Sequence, residues 1–480
     1  MSTTLSPETA AARPETPAAK PSWGTLLVLL AGVFITTLDF FIVNVAIPAT
    51  QSDLHAGPSA IQFIVAGYGL AVAAGLITAG RLGDLYGRRK LFVLGLGLFT
   101  LASAACGMAP TAGFLVGARV AQGIAAALLT PQVLGIINIV YTGEHRAKAF
   151  NAYGLAIGFG AVFGQLIGGA LIKVDLAGLG WRSIFLINVP IGIATLAVTR
   201  RLVPEARSAS GARLDLFGTV LVSLGLVAIV LPLVQGQQQG WPEWTWLCLA
   251  SALPLLAAFV LHQRRLRARS GSPLIDLALF RERAFSAGVL ISLAFQMTMA
   301  SFFLVLALYL QDGRGLSALE SGLIFLPLGL GYFAASSMSG RVAARLGRQA
   351  LAAGALAVAG GYTLLAETAT TIGTHGSIGW LIPGLLVSGA GMGLFIPPLP
   401  ATVLAGVQPG HAAAASGVLS TCQQAGGAIG VALIGVVFYN ALGTHPHAGS
   451  FPHAFGIGLA LLVGLSAVVA GLVQLLPKKG

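Results

Sequence analysis

Apolar windows separated by short polar breaks recur from residue 24 to residue 476. They run near 24–48, 59–80, 90–108, 112–141, 147–172 and 183–200, then 214–234 and 244–262. Six more follow near 284–311, 318–340, 349–367, 377–402, 412–441 and 454–476. Each reaches the ~17–25 residues that a helix needs to cross a bilayer's hydrocarbon core. The pattern predicts fourteen transmembrane helices. Residues 1–22 hold four Pro and two Glu and no apolar run. Residues 1–23 therefore read as a disordered tail, without the pattern of a signal peptide.

Composition agrees with that pattern. Hydrophobic residues make up 56% of the chain, charged residues 9%, and mean hydropathy is +0.86. A soluble domain carries about 25% charged residues, so this chain lacks the surface that water requires. The expected fold class is an all-α polytopic membrane protein.

Charge then sets the orientation. With a cytoplasmic N-terminus, twenty-three of the 27 Lys and Arg fall on the cytoplasmic side, three fall outside, and Arg119 lies within a span. Positive charge collects inside, so both termini are expected in the cytoplasm and the chain in a cell membrane. The Gly- and Ala-rich composition suits a bacterium. The net charge of +12 reports contact with anionic membrane lipid and gives no case for nucleic acid. The segment 263–283, basic and then amphipathic, is expected to lie along the cytoplasmic interface.

Two pairs of segments share one offset. "GQLIGGALI" at 164–172 resembles "GGAIGVALI" at 426–434, and "GRLGDLYGRR" at 80–89 resembles "GRVAARLGRQ" at 340–349. The first spans of the two groups, near 24 and 284, repeat that spacing. The chain thus divides into 24–202, a six-helix bundle; 203–283, two extra helices and a linker; and 284–480, a second bundle in parallel repeat. Such repeats place a substrate path between the halves.

One acid does not fit the pattern. Of 15 Asp and Glu, only Asp39 sits deep in a span. An acid at that depth costs roughly 2.5–3.5 kcal/mol on insertion scales and marks function by default. Desolvation disfavours the charged form of any carboxyl, which is the behaviour a proton carrier exploits. The second half has no equivalent, since the matching position is Met299. No Gly-rich phosphate loop with its Lys occurs, and no Ser/His/Asp or metal constellation stands in the spans. Cys106, Cys248 and Cys422 lack metal-ligand spacing, and His445, His447 and His453 share a loop that reads as solvated. The expectation is a non-enzymatic carrier without cofactor or metal, driven by an ion gradient.

Six segments carry a family likeness. "LDFFIVNVAIP" (38–48), "GRLGDLYGRRK" (80–90), "GARVAQGIAAALLTP" (117–131), "GAVFGQLIGG" (160–169), "WRSIFLINVPIG" (181–192) and "PLIDLALFRERAF" (273–285) stand in order at the right spans. With them the chain resembles the major facilitator superfamily, in its fourteen-span drug:proton antiporter branch. The resemblance implies that fold and a conformational latch at Gly80, Asp84, Gly87, Arg88 and Arg89. It also implies a glycine stripe, Gly160, Gly164, Gly168 and Gly169, that biases the carrier toward export. Leu85, Ala344 and Gln165 depart from the family pattern, the last standing where the family has a proline. Spans one and four of each half would line the cavity, with Phe40, Phe41, Asn44, Phe295, Gln296, Met299 and Phe303 as candidate lining. Asp39 and Arg119 fall at nearly one depth on such spans, so Arg119, with Gln122 one turn on, is expected to pair with Asp39 in proton coupling.

The function expected is proton-coupled export of lipophilic, cationic drugs or antibiotics by alternating access, with protons and membrane lipid as further partners and a working monomer. A facilitator-fold carrier for a nutrient or metabolite is the alternative, and a non-transporting membrane sensor a remote one.

Overall fold

The computed structural model describes residues 22–205, 215–236, 239–269, 274, 277–404, 412–443 and 448–477. The tail residues 1–21, His445, His447 and the side chain of Asp84 lie outside the described residues. Fourteen helical segments among those described are long and apolar enough to cross a membrane. Their main helices are α1 (Trp23–Ile42), α2 (Pro58–Tyr86), α3 (Arg88–Gly107), α4 (Ala112–Val140), α5 (Gly143–Val174), α6 (Asn188–Leu202, the end of a span from Gly180) and α7 (Leu216–Gln235). The rest are α8 (Glu243–Ala268), α9 (Arg283–Leu308), α10 (Ala318–Leu346), α11 (Gln349–Ile372), α12 (Ile382–Phe395), α13 (Ala412–Leu442) and α14 (Ser450–Val473).

Local chemistry explains many of the ends. Ser22 and Thr111 accept the Thr25 and Phe114 N–H groups as N-caps of α1 and α4, and Ser317 with Glu320 forms a reciprocal capping box on α10. Gly87 and Gly347, equivalent in the repeat, end α2 and α10 at φ +104° and +57°, a backbone region that L side chains rarely enter.

Three elements differ from the sequence reading. The first span is not one continuous α-helix: α1 tightens into a 3₁₀ turn at Val43–Ala46 before a short helix, Ile47–Leu54. Residues 263–268, read as the start of a separate amphipathic segment, continue α8 as its last turns. Arg and Leu are good helix formers, and long Arg stems can carry their charge out to the interface. The twelfth span breaks after Phe395 and resumes as Pro398–Leu404, because Pro397 and Pro398 cannot supply helix N–H groups.

Helices α1–α6 form one half and α9–α14 the other, and the glycine contacts repeat between them. A Cβ on Gly164 would lie 3.3 Å from Leu38 O, and one on Gly168 2.7 Å from the Ile42 side chain. In the second half, a Cβ on Gly426 would lie 2.4 Å from Leu293 O and one on Gly430 2.5 Å from Met297 O. So α5 packs on α1 as α13 packs on α9, by close approach at small residues. The halves meet where α5 crosses α10 and α2 crosses α13.

The inserted pair, α7 and α8, packs together and leans on the α2–α13 seam. Thr78 and Thr219 share a 2.7 Å hydrogen bond, Ser59 donates to Val234 O, and Leu226 packs between Ala73 and Ala425. At the base of the pair, Asp215 caps α7 by accepting from Gly218 N and Gln263 Nε2, with His262 Nε2 at 2.8 Å. Partial burial works against its charge, but these partners outweigh it and hold the Asp215 carboxyl below its ordinary range.

Candidate functional site

Asp39 lies in the last turn of α1, just before the helix tightens, and is fully buried. Arg119 on α4 is equally buried and pairs with it, NH1 donating to Oδ2. Gln122, one turn along α4, donates to Asp39 Oδ1 at 2.8 Å and accepts from Arg119 NH1 at 2.7 Å. The three residues singled out in the sequence therefore meet in one cluster.

Two members were not legible beforehand. Asn188, the first residue of α6, donates to Asp39 Oδ1 at 2.8 Å. Ser103 on α3 accepts from Gln122 at 2.7 Å and from Asn188 at 3.4 Å. Asn188 stands inside "WRSIFLINVPIG", so the signal lay in a quoted motif, though nothing in it pointed toward α1. Ser103 gave none.

The carboxylate is thus held by a cation and two amides. A buried ion pair repays its desolvation only when the remaining donors and acceptors are satisfied; here α4 and α6 satisfy both carboxylate oxygens, while Arg119 Nη2 and Asn188 Oδ1 have no partner among the described residues. Arg119 has further support that does not depend on Asp39. Its Nε donates to Ile64 O at 3.0 Å, and its guanidinium carbon lies 4.4 Å above the Tyr68 ring, close enough for a cation–π contact. Protonating Asp39 would remove the charge attraction without stripping Arg119 of every partner.

The halves touch near the centre, where Phe41 meets Phe303 with ring centroids 4.8 Å apart, and within the second half Phe295 stacks on Phe395 at 3.9 Å. A void of about 20 Å³ remains, lined in part by Met299 and Phe303 from α9 and by Ala161 and Val162 from α5. Phe40 packs against Phe41 and Tyr68, and Asn44 bonds to the Phe41 carbonyl. Gln296 is half-buried beside Gly427. Of the seven candidate lining residues, the structure brings only Met299 and Phe303 to the void wall.

The glycines of α5 divide their work. Gly160, Gly164 and Gly168 face α1, whereas a Cβ on Gly169 would lie 2.3 Å from Ala318 O on α10, in the other half.

In the loop motif, Arg88 reaches Pro131 O on α4 at 3.4 Å, and Gly80 also lies nearest Pro131. Arg89 donates to Val203 O and pairs with Glu205, beyond the end of α6, and Gly87 packs against the Glu205 carboxylate. The second copy behaves alike: Arg348 donates to Gln474 O at 2.8 Å and to Leu476 O, past the end of α14. All of these contacts stay within one half: Arg88 and Gly80 meet α4, while Arg89 and Arg348 tie their loops to the chain just past the last helix of the half.

Comparisons with known proteins agree with this architecture. The family model described as Major Facilitator Superfamily matches residues 29–431. A probable actinorhodin transporter of Streptomyces coelicolor is 40% identical over 89% of this chain and 74% of its own length. A puromycin resistance protein of Streptomyces alboniger is 36% identical over 93% of this chain and 90% of its own. Among solved structures, a POT family transporter in complex with a thioalcohol-conjugated peptide superposes with a TM-score of 0.68 at 16% identity, covering 94% of this chain and 96% of that one. With a family model spanning most of its length, the chain belongs to the Major Facilitator Superfamily.

Proposed function

We propose that this protein exports lipophilic, cationic antibiotics or drugs across a bacterial cell membrane in exchange for protons, with both termini in the cytoplasm. The observation that carries the reading is the buried Asp39–Arg119 pair with its two amide donors. The names of the relatives described above, one a transporter and one a resistance protein, support the substrate class.

In this account Asp39 is the proton carrier and belongs to the first half alone. Ionised, it is held by Arg119, Gln122 and Asn188. When α1 shifts against α4 and the pair loosens, the carboxyl takes a proton, while Ile64 O, Gln122 and the Tyr68 face retain Arg119. A cationic substrate competes with Arg119 and the proton for the same carboxylate, so proton and drug alternate. The units 24–202 and 284–480 rock as bodies about the α5–α10 and α2–α13 seams, carrying 203–283 with them. Gly80, Asp84, Gly87, Arg88 and Arg89 brace the cytoplasmic side as a latch, and the α5 glycine stripe permits close approach. Phe40, Phe41, Asn44, Phe295, Gln296, Met299 and Phe303 line the cavity once it opens. A single chain supplies both halves and works as a monomer.

The test is drug uptake into everted vesicles under an imposed pH gradient. Export predicts accumulation that collapses with the gradient, and accumulation indifferent to it contradicts proton exchange.

A further inference from the structure

Two buried amides converge on one main-chain oxygen just past the proton site. Where α1 tightens, the Phe41 carbonyl accepts from Asn44 Nδ2 at 3.1 Å and from Gln165 Nε2 at 2.9 Å. Those bonds fix which end of each amide is nitrogen. The opposite ends, Asn44 Oδ1 and Gln165 Oε1, are buried and have no donor among the described residues. Asn44 is 3% exposed and Gln165 0%. An amide's N–C–O path is about 2.6 Å, so both oxygens lie within roughly 6 Å of Phe41 O by the same reasoning.

Gln165 lies one helical turn beyond the wall of the central void, which neither amide lines. Gly158, Ala161 and Val162 line it from α5, and Gln165 continues that face one turn further along. Phe41, whose carbonyl the amides share, touches Phe303 on the void's far wall. The Phe41 carbonyl also receives the Val43 N–H, so it needs neither amide for satisfaction. A Leu or Met at 165 would fill the space without stranding an acceptor, and stranded buried acceptors are both costly and rare. Two of them held at one carbonyl, with the void a helical turn away, point to a donor that arrives from outside the chain.

We propose that Asn44 and Gln165 form an acceptor subsite for hydrogen-bond donors of the exported molecule, its amino, amide or hydroxyl groups. This rests on the export reading and narrows it. Asp39 handles charge and proton, while the two amide oxygens select among lipophiles by their N–H and O–H groups. A site built to accept hydrogen bonds discriminates against analogues that lack them.

The test uses the full chain in lipid nanodiscs and two lipophilic cations. Ethidium carries two exocyclic amino groups, and tetraphenylphosphonium has no N–H or O–H. The ratio of their affinities is the readout, because a loosened fold or a change at Asp39 moves both together. Gln165→Met and Asn44→Leu each replace one amide, acceptor and donor together, by an apolar side chain of similar length, and either suffices if the other fails to insert. Each is expected to weaken ethidium relative to tetraphenylphosphonium by about three- to tenfold, the effect of one uncharged hydrogen bond. An unchanged ratio overturns the subsite and leaves the amides as a fixed brace of α1. Failure of the export reading looks different: unmutated protein then binds neither cation and protects cells from no lipophile in a resistance panel, and the subsite falls with it.

Discussion

Asn188 donates to Oδ1 of Asp39 at 2.8 Å across 149 residues of chain. It shares that oxygen with Gln122, so one atom is held from α6 and α4 together while Arg119 holds the other. Ser103 on α3 accepts from both amides. A proton added to this carboxylate is therefore felt at once by α1, α3, α4 and α6, which is how a local charge change can move one half of a carrier.

Asn188→Leu keeps the branching and heavy-atom number of the side chain and removes one donor from Asp39 and one from Ser103. Loss of a buried hydrogen bond of this kind costs about 1–3 kcal/mol. Export should fall by roughly tenfold on that basis, with its pH profile displaced, in protein that still inserts. An unshifted profile would reduce Asn188 to a packing role.

Arg119→Gln leaves the Asp39 charge buried without its cation, at a cost of about 3–5 kcal/mol. Asp39→Asn combined with Arg119→Gln removes both charges and should recover part of that stability. Thermal melts of the two single variants and the double variant measure the coupling, and strictly additive losses would show that the pair does not act as one unit.

Gly169→Ala tests the seam between the halves. Its Cβ would meet the backbone of Ala318 at 2.3 Å, an atom that cannot swing aside, so growth on a drug should be lost while expression persists. Gly154 on the same helix has nothing within 4 Å of an added Cβ. Gly154→Ala should be tolerated and gain up to about 1 kcal/mol in helix propensity. Equal effects of the two substitutions would remove close approach as the reason for the glycines.

Single cysteines report topology. One placed in 239–243 should react with an impermeant maleimide from outside intact cells, and one in 264–268 only after permeabilisation. The reverse labelling pattern would invert the assigned orientation.

Most of the fold was readable because span length and charge asymmetry are additive properties of local sequence: the fourteen windows match the fourteen spans to within six residues at every end. The Asp39–Arg119 pair was readable because each charge is costly alone at that depth, which forces a partner of similar depth. Asn188 and Ser103 were not, because neutral polar residues are cheap enough in a span to carry no such demand. The break at Val43 left little trace in a run whose residues also suit a continuous helix. The shared carbonyl of Phe41 depends on how α5 packs on α1, and no residue on either helix announces that contact.

Proton release on drug binding tests the central claim most directly. Tetraphenylphosphonium, itself without a titrating group, is added to purified protein in weakly buffered solution while a pH dye is read. Unmutated protein should release protons as the cation displaces them from Asp39, and Asp39→Asn should release none while still binding the cation. Equal proton release from the Asn variant would contradict the assignment of Asp39 as the site where proton and substrate exchange.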